Sequence, residues 1–108
     1  MKITWPVSVL LAAVALVAQA APSSGQFMHD MEASMKTMDK GMADAPMNGD
    51  VDHDFATMMI PHHAGAIDMA KAELAYGKDP VMRRLAEETL VDQQSEIDAM
   101  NRWLRRKQ

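Results

Sequence analysis

The sequence predicts an all-α protein. An antiparallel helical hairpin carries a methionine-rich helix on its N-terminal side, and two chains complete a four-helix bundle. Three observations lead there. Apolar residues recur at steps of three and four in three separate stretches, the period of a helix buried along one side. Glycine, proline and aspartate punctuate the chain between those stretches, at APMNGD (45–50) and GKDP (77–80). The chain has 108 residues and no cysteine, which limits it to one small domain without disulfide support.

Residues 1–20 read as a signal peptide. Lys2 supplies a positive start, an apolar run extends from Val7 to Ala18, and AQA at 18–20 places small residues where a signal peptidase needs them. The run is short for a transmembrane helix; an uncleaved anchor is the alternative. The expectation is export to the periplasm. Residues 21–50 are then a methionine-rich helix with its linker, and residues 51–108 a helical hairpin that binds metal. Export also gives the missing cysteines a reason, because a free thiol is a liability in an oxidising compartment.

Ala21 to Gly25 is expected to be a mobile leader. The first helix is predicted over about Gln26–Ala43, where methionines at 28, 31, 35, 38 and 42 form a heptad stripe. Gly41 weakens its end. The second helix is predicted from a cap at Asp52 to about Tyr76, closed by Gly77. One stripe on it reads Ala56, Ile60, His63, Ile67, Ala70, Leu74. Beside it runs Phe55, Met59, His62, Ala66, Met69, and the two together predict a wide buried face. Pro61 removes a backbone donor and crowds the carbonyl of Thr57, which predicts a kink. The third helix starts with Asp79 as cap and Pro80 at its first position, and runs to about Arg105. Its core stripe is Ala86, Leu90, Gln93, Ile97, Met100, Leu104, with Gln93 as the polar intruder. The basic end at Arg102, Arg105, Arg106 and Lys107 reads as a solvated terminus that complements the helix dipole. The short GKDP connector makes the second and third helices antiparallel neighbours.

Methionine accounts for 12 of 108 residues, more than packing calls for. The formal charge of −4 argues against nucleic acid as a partner. Cu(I) and Ag(I) are soft cations that prefer thioether and imidazole donors. Residues three or four apart share a helix face. Met59 therefore neighbours both His62 and His63, and Met58 neighbours His62. The two imidazoles leave the helix about 100° apart. They read as two differently directed groups, not one chelate. The alternative for His63 is a core histidine bonded to Gln93 or Glu96 across the hairpin, since it shares its stripe with Ile60 and Ile67. Met100, four residues after Glu96, is the next candidate. His53 and Asp54 form a separate patch with Asp50 and Asp52. That patch reads either as helix capping or as an imidazole–carboxylate pair for Cu(II). The heptad methionines read equally as ordinary core or as a flexible strip that collects soft ions.

HDFATMMIPHHAGAIDMAKAEL followed by LAEETLVDQQSEIDAMNRWL resembles an exported bacterial family of helical proteins of unknown function. That family includes the cyanobacterial periplasmic copper-binding protein M. The resemblance covers residues 52–104. It rests on Phe55, Met59, His62, His63, Ala66, Met69 and Ala70, and then on Gln93, Glu96, Ile97 and Met100. It implies ferritin-like packing and copper or silver handling. It also implies Met59, His62, His63, Met69 and Met100 as metal-associated residues, with Gln93 and Glu96 orienting or structural. Many members look like two such hairpins in one chain. This sequence has one, so the resemblance points to assembly from two chains.

The leading expectation is periplasmic binding, buffering or sequestration of copper(I) or silver(I) through Met and His side chains, in support of metal tolerance. The expected partners are metal ions, a second copy in a homodimer, and copper-donor or efflux proteins. No enzymatic activity is expected. A diiron bundle needs inward Glu-x-x-His pairs, and the sequence offers only the Asp-x-x-His of Asp50 and His53. The alternative is a structural or protein-interaction module without physiological metal.

Overall fold

The computed structural model describes residues 1–2 and 24–108. The expected signal peptide therefore lies outside the described residues, apart from its first two. Among the described residues there are three helices and no strand: α1 (Ser24–Ala43), α2 (Val51–Tyr76) and α3 (Pro80–Arg106). Ser24 and Gly25, expected in a leader, are the first turn of α1.

Local chemistry sets the boundaries. The cap of α2 is Asp50, not Asp52: its carboxylate accepts the His53 backbone N–H at 2.8 Å, and its backbone is extended. Asp52 then lies inside the first turn, where a negative charge suits the dipole. Gly49 provides the turn before the cap with φ of 87°, a conformation open to glycine. At the other end Gly77 follows Tyr76 and donates its N–H to the Glu73 carbonyl. Asp79 caps α3 by accepting from the N–H groups of Val81 and Met82, with Pro80 in the first turn. Arg83 fastens the hairpin. Its Nη1 donates to the carbonyls of Leu74 at 2.8 Å and Gly77 at 3.0 Å, so the open end of α2 is satisfied from α3.

α2 is the central element. It packs against both α1 and α3, which do not approach each other. The α3 side of α2 is the expected stripe, with Ala56, His63 and Ala70 buried and Ile60, Ile67 and Leu74 half-buried. Ala86 is buried opposite, flanked by half-buried Leu90, Gln93 and Ile97. The α1 side lies half a turn away around α2. A Cβ added to Gly65 would meet Met38 at 2.8 Å, and one added to Gly41 would meet the Pro61 ring at 2.7 Å. Each helix thus offers a glycine notch to a side chain of the other. α2 stays helical through Pro61, whose ring is a packing surface for α1. Phe27 meets Tyr76 edge-on at 6.4 Å between ring centroids, and the Tyr76 hydroxyl donates to Asp30 at 2.6 Å.

One expectation is corrected by this arrangement. The stripe Phe55, Met59, His62, Ala66, Met69 is not buried within the chain: Phe55 and His62 are exposed, and the others only half-buried. α1 docks on the Pro61–Gly65–Ala72 side instead and leaves that stripe open. The buried residues are small, and no large side chain among the described residues is fully buried.

Candidate metal centre

His63 is the most constrained of the candidate ligands. It is 8% exposed, in the seam between α2 and α3. Its Nε2 is hydrogen-bonded to the Glu96 carboxylate across the hairpin. Its Nδ1 is buried and has no hydrogen-bond partner. With a carboxylate on Nε2, the neutral ring carries its proton there and turns the Nδ1 lone pair inward. A carboxylate that fixes the tautomer of a histidine through one nitrogen, leaving the other to ligate, is the usual outer support of a metal-bound imidazole. A buried nitrogen without a partner costs about 1–3 kcal/mol, which a bound ion would remove. His63 Nδ1 is thus one donor of a kind that a soft ion accepts.

The neighbours of His63 are of matching chemistry. The His62 ring lies 6.0 Å away between centroids and tilted by 58°. The exposed His62 ring and the buried His63 ring are neighbours that point differently, as the helical spacing predicts. Met59, half-buried, is one helical turn before His63. Met58 and Met69 are half-buried on the α1 flank of α2 and the open stripe respectively. Met100 lies nearer the start of α2, lining a groove with Phe55, Ala56 and Trp103. Around His63 the structure gives the hydrogen bond to Glu96 and the neighbouring ring of His62; His53 and Asp54 pair separately.

The second candidate patch also has a local structural role. Asp54 accepts the backbone N–H groups of Asn48 at 2.9 Å and Gly49 at 3.0 Å, and the His53 ring at 3.0 Å. The His53 hydrogen bond, then the one from Asn48, holds its carboxyl below the usual carboxylate range. Its oxygens close the loop ahead of α2. An ion there would compete with three donors, which is the capping alternative in structural form. Among the described residues no three His, Asp or Glu side chains converge. A hard cation needing several oxygen donors finds no cage there.

Glu96 as the His63 partner was one of two choices visible in the sequence, and Gln93 was the other. The Tyr76–Asp30 contact was not visible: it joins residues 46 positions apart that belong to no shared motif. Asp30 is held below the usual carboxylate range, chiefly by the Tyr76 hydrogen bond and then by His29 and Gln26. Tyr76 is pushed up in return.

Comparison with known proteins gives a family without an assigned activity. The family described as a domain of unknown function, DUF305, matches residues 8–104. An uncharacterized protein of Acanthamoeba polyphaga mimivirus, L153, is 42% identical over 50 residues, which is 46% of this chain and 33% of that protein. The match thus spans about a third of the viral protein's length. No described helix is long and apolar enough to cross a membrane. With its match running over most of its length, the chain belongs to the DUF305 family.

Proposed function

We propose that the protein binds and buffers copper(I), with silver(I) as a chemical equivalent, at a centre formed around His63, His62 and Met59. The observation that carries this reading is the buried, unpartnered Nδ1 of His63, on a ring whose other nitrogen is engaged by Glu96. Imidazole and thioether donors favour a soft monovalent ion, and thioethers are abundant here. Met69, Met58 and Met100 are further donors within the same domain. The His53–Asp54 patch is a weaker candidate, suited to copper(II). The role is storage or sequestration, not catalysis, and belongs in the periplasm if residues 1–20 direct export. Likeness to the ferritin-like, copper-handling proteins of the family is part of the proposal. A ferritin-like bundle would draw its further helices from another chain.

A specific observation favours a second reading. The His63–Glu96 contact joins α2 to α3, so it also serves a purely structural hairpin module. Anaerobic titration with Cu(I) against a chromophoric chelator separates the two. The wild-type protein should withdraw copper from the chelator, and the combined Met59→Ala, His62→Ala, His63→Ala variant should lose the strongest site. Failure of the wild type to compete at micromolar protein would remove the metal reading.

A further inference from the structure

The geometry points to a second copy of this chain as the occupant of one face of the three-helix layer. Because α1 and α3 pack on opposite sides of α2, the layer has two broad faces, and they differ in chemistry. The groove between α1 and α2 on one face is lined by Asp30, Ala33, Ser34, Asp68, Lys71 and Ala75, a polar and small surface. The groove between α2 and α3 on the other face is lined by Phe55, Ala56, Ala99, Met100 and Trp103, with Asp52 at its end. Carried along each helix at about 100° per residue, these two grooves sort the remaining side chains.

Nearly all exposed apolar bulk falls on the second face. It takes Met28 and Met35 from α1, Phe55 from α2, and Met82 and Leu85 from α3, all between 40% and 62% exposed. Val51 and Val81, at the helix starts, join them by the same rotation. Among the large apolar side chains exposed on the described helices, Val91 alone turns to the polar face. Half-buried Met31, Met42, Met59 and Met69 fill the spaces between.

Two arguments make the occupant a second copy. Among the described residues the layer buries only small apolar ones, Ala56, Ala70, Ala72 and Ala86, so covering this face would give every molecule the larger hydrophobic core it otherwise lacks there. Such cover is supplied by a partner present in equal amount wherever the chain is made. A standard stable interface buries about 800 Å² on each side, and the face offers it seven large apolar side chains that are 40–81% exposed. A face that carries apolar bulk from all three helices, with Asp52 and Glu96 among it, can be self-complementary, as a two-fold interface demands. His62 lies on it, so the second copy also covers the open side of the candidate metal centre. The inference stands without the metal reading.

The test uses protein produced from the full chain and stripped of metal with a chelator, so that loss of copper binding would leave its outcome unaffected. Light scattering should give twice the mass of one chain. The absence of native cysteine allows single-cysteine probes. Leu85→Cys on the proposed interface should react with a maleimide about tenfold more slowly than Ala75→Cys on the polar face. A folded monomer would overturn the proposal, whichever probe is protected. A dimer in which both probes react equally would overturn it too, because association would then use another surface.

Discussion

Gly65→Ala should destabilise the protein, against the direction that helix propensity alone gives. In an exposed helix interior this change stabilises by about 1 kcal/mol. Here the new methyl would lie 2.8 Å from both Cβ and Sδ of Met38 and 2.9 Å from its Cγ. Carbon contacts settle near 3.5–4.0 Å, so α1 must retreat from α2 by roughly 1 Å. The sulfur can swing away, but the Cβ is fixed to the α1 backbone and cannot. Overpacking of this kind costs about 1–3 kcal/mol, which leaves a net loss of about 1 kcal/mol. For a domain this size that lowers Tm by about 4–8 °C, read by far-ultraviolet circular dichroism at fixed protein concentration. Met38→Ala removes Sδ and Cγ but keeps Cβ, so adding it should recover only part of the loss, with a coupling of at least about 0.5 kcal/mol. A Tm above that of the wild type for Gly65→Ala would refute the close approach of α1 to α2 at this point.

The other predictions concern the links that position the candidate centre. Glu96→Gln keeps a polar partner for His63 but removes the carboxylate, and should weaken Cu(I) affinity about 10–100-fold in chelator competition with little change in Tm. Arg83→Met leaves the carbonyls of Leu74 and Gly77 without their donor and should cost about 2 kcal/mol in thermal or urea unfolding. The Asp30 carboxyl is lowered in the folded state, first by Tyr76. Its contribution is therefore complete above the unfolded carboxylate value, near 4, and fades as pH falls through the lower folded one. Amide exchange in α1 should accelerate in that acid range, and Tyr76→Phe should shrink the effect.

Much of the hairpin was legible because its two facing stripes obey one rule. Ala56, His63 and Ala70 on α2, and Ala86, Leu90, Gln93 and Ile97 on α3, repeat at helical spacing, and the short connector forces the two helices together. The docking of α1 was not legible for a physical reason. Its methionine heptad looks like a contact face, yet α2 is met by Phe27, Asp30, Ser34, Met38 and Gly41. Glycine notches decide that choice, and a missing Cβ leaves no hydrophobic signal in a sequence. The cap of α2 was ambiguous for a different reason: Asp50 and Asp52 are equally good chemically, and the turn at Gly49 selects between them. The second stripe on α2 was rightly apolar. Periodicity reports that a face seeks burial without saying whether the same chain provides it.

Under the proposed function the methionine content has a use that leucine would not serve equally. A face that is apolar, half-open and built from thioethers can pack against another surface, and its sulfurs remain available to a soft ion. Thioethers adapt to either task because their side chains are unbranched and polarisable. Fixed geometry is needed at one point only, and the chain supplies it through His63, held on one side by Glu96 and walled in by α3. A half-satisfied buried imidazole is a poor structural device: an aliphatic side chain there would pack without the penalty of an orphaned nitrogen. On the proposed metal reading, a histidine in that seam is accounted for by what its Nδ1 can bind, and not only by the hairpin contact made through Nε2. His62, one residue away and on the open face, would connect that buried donor to the methionine surface.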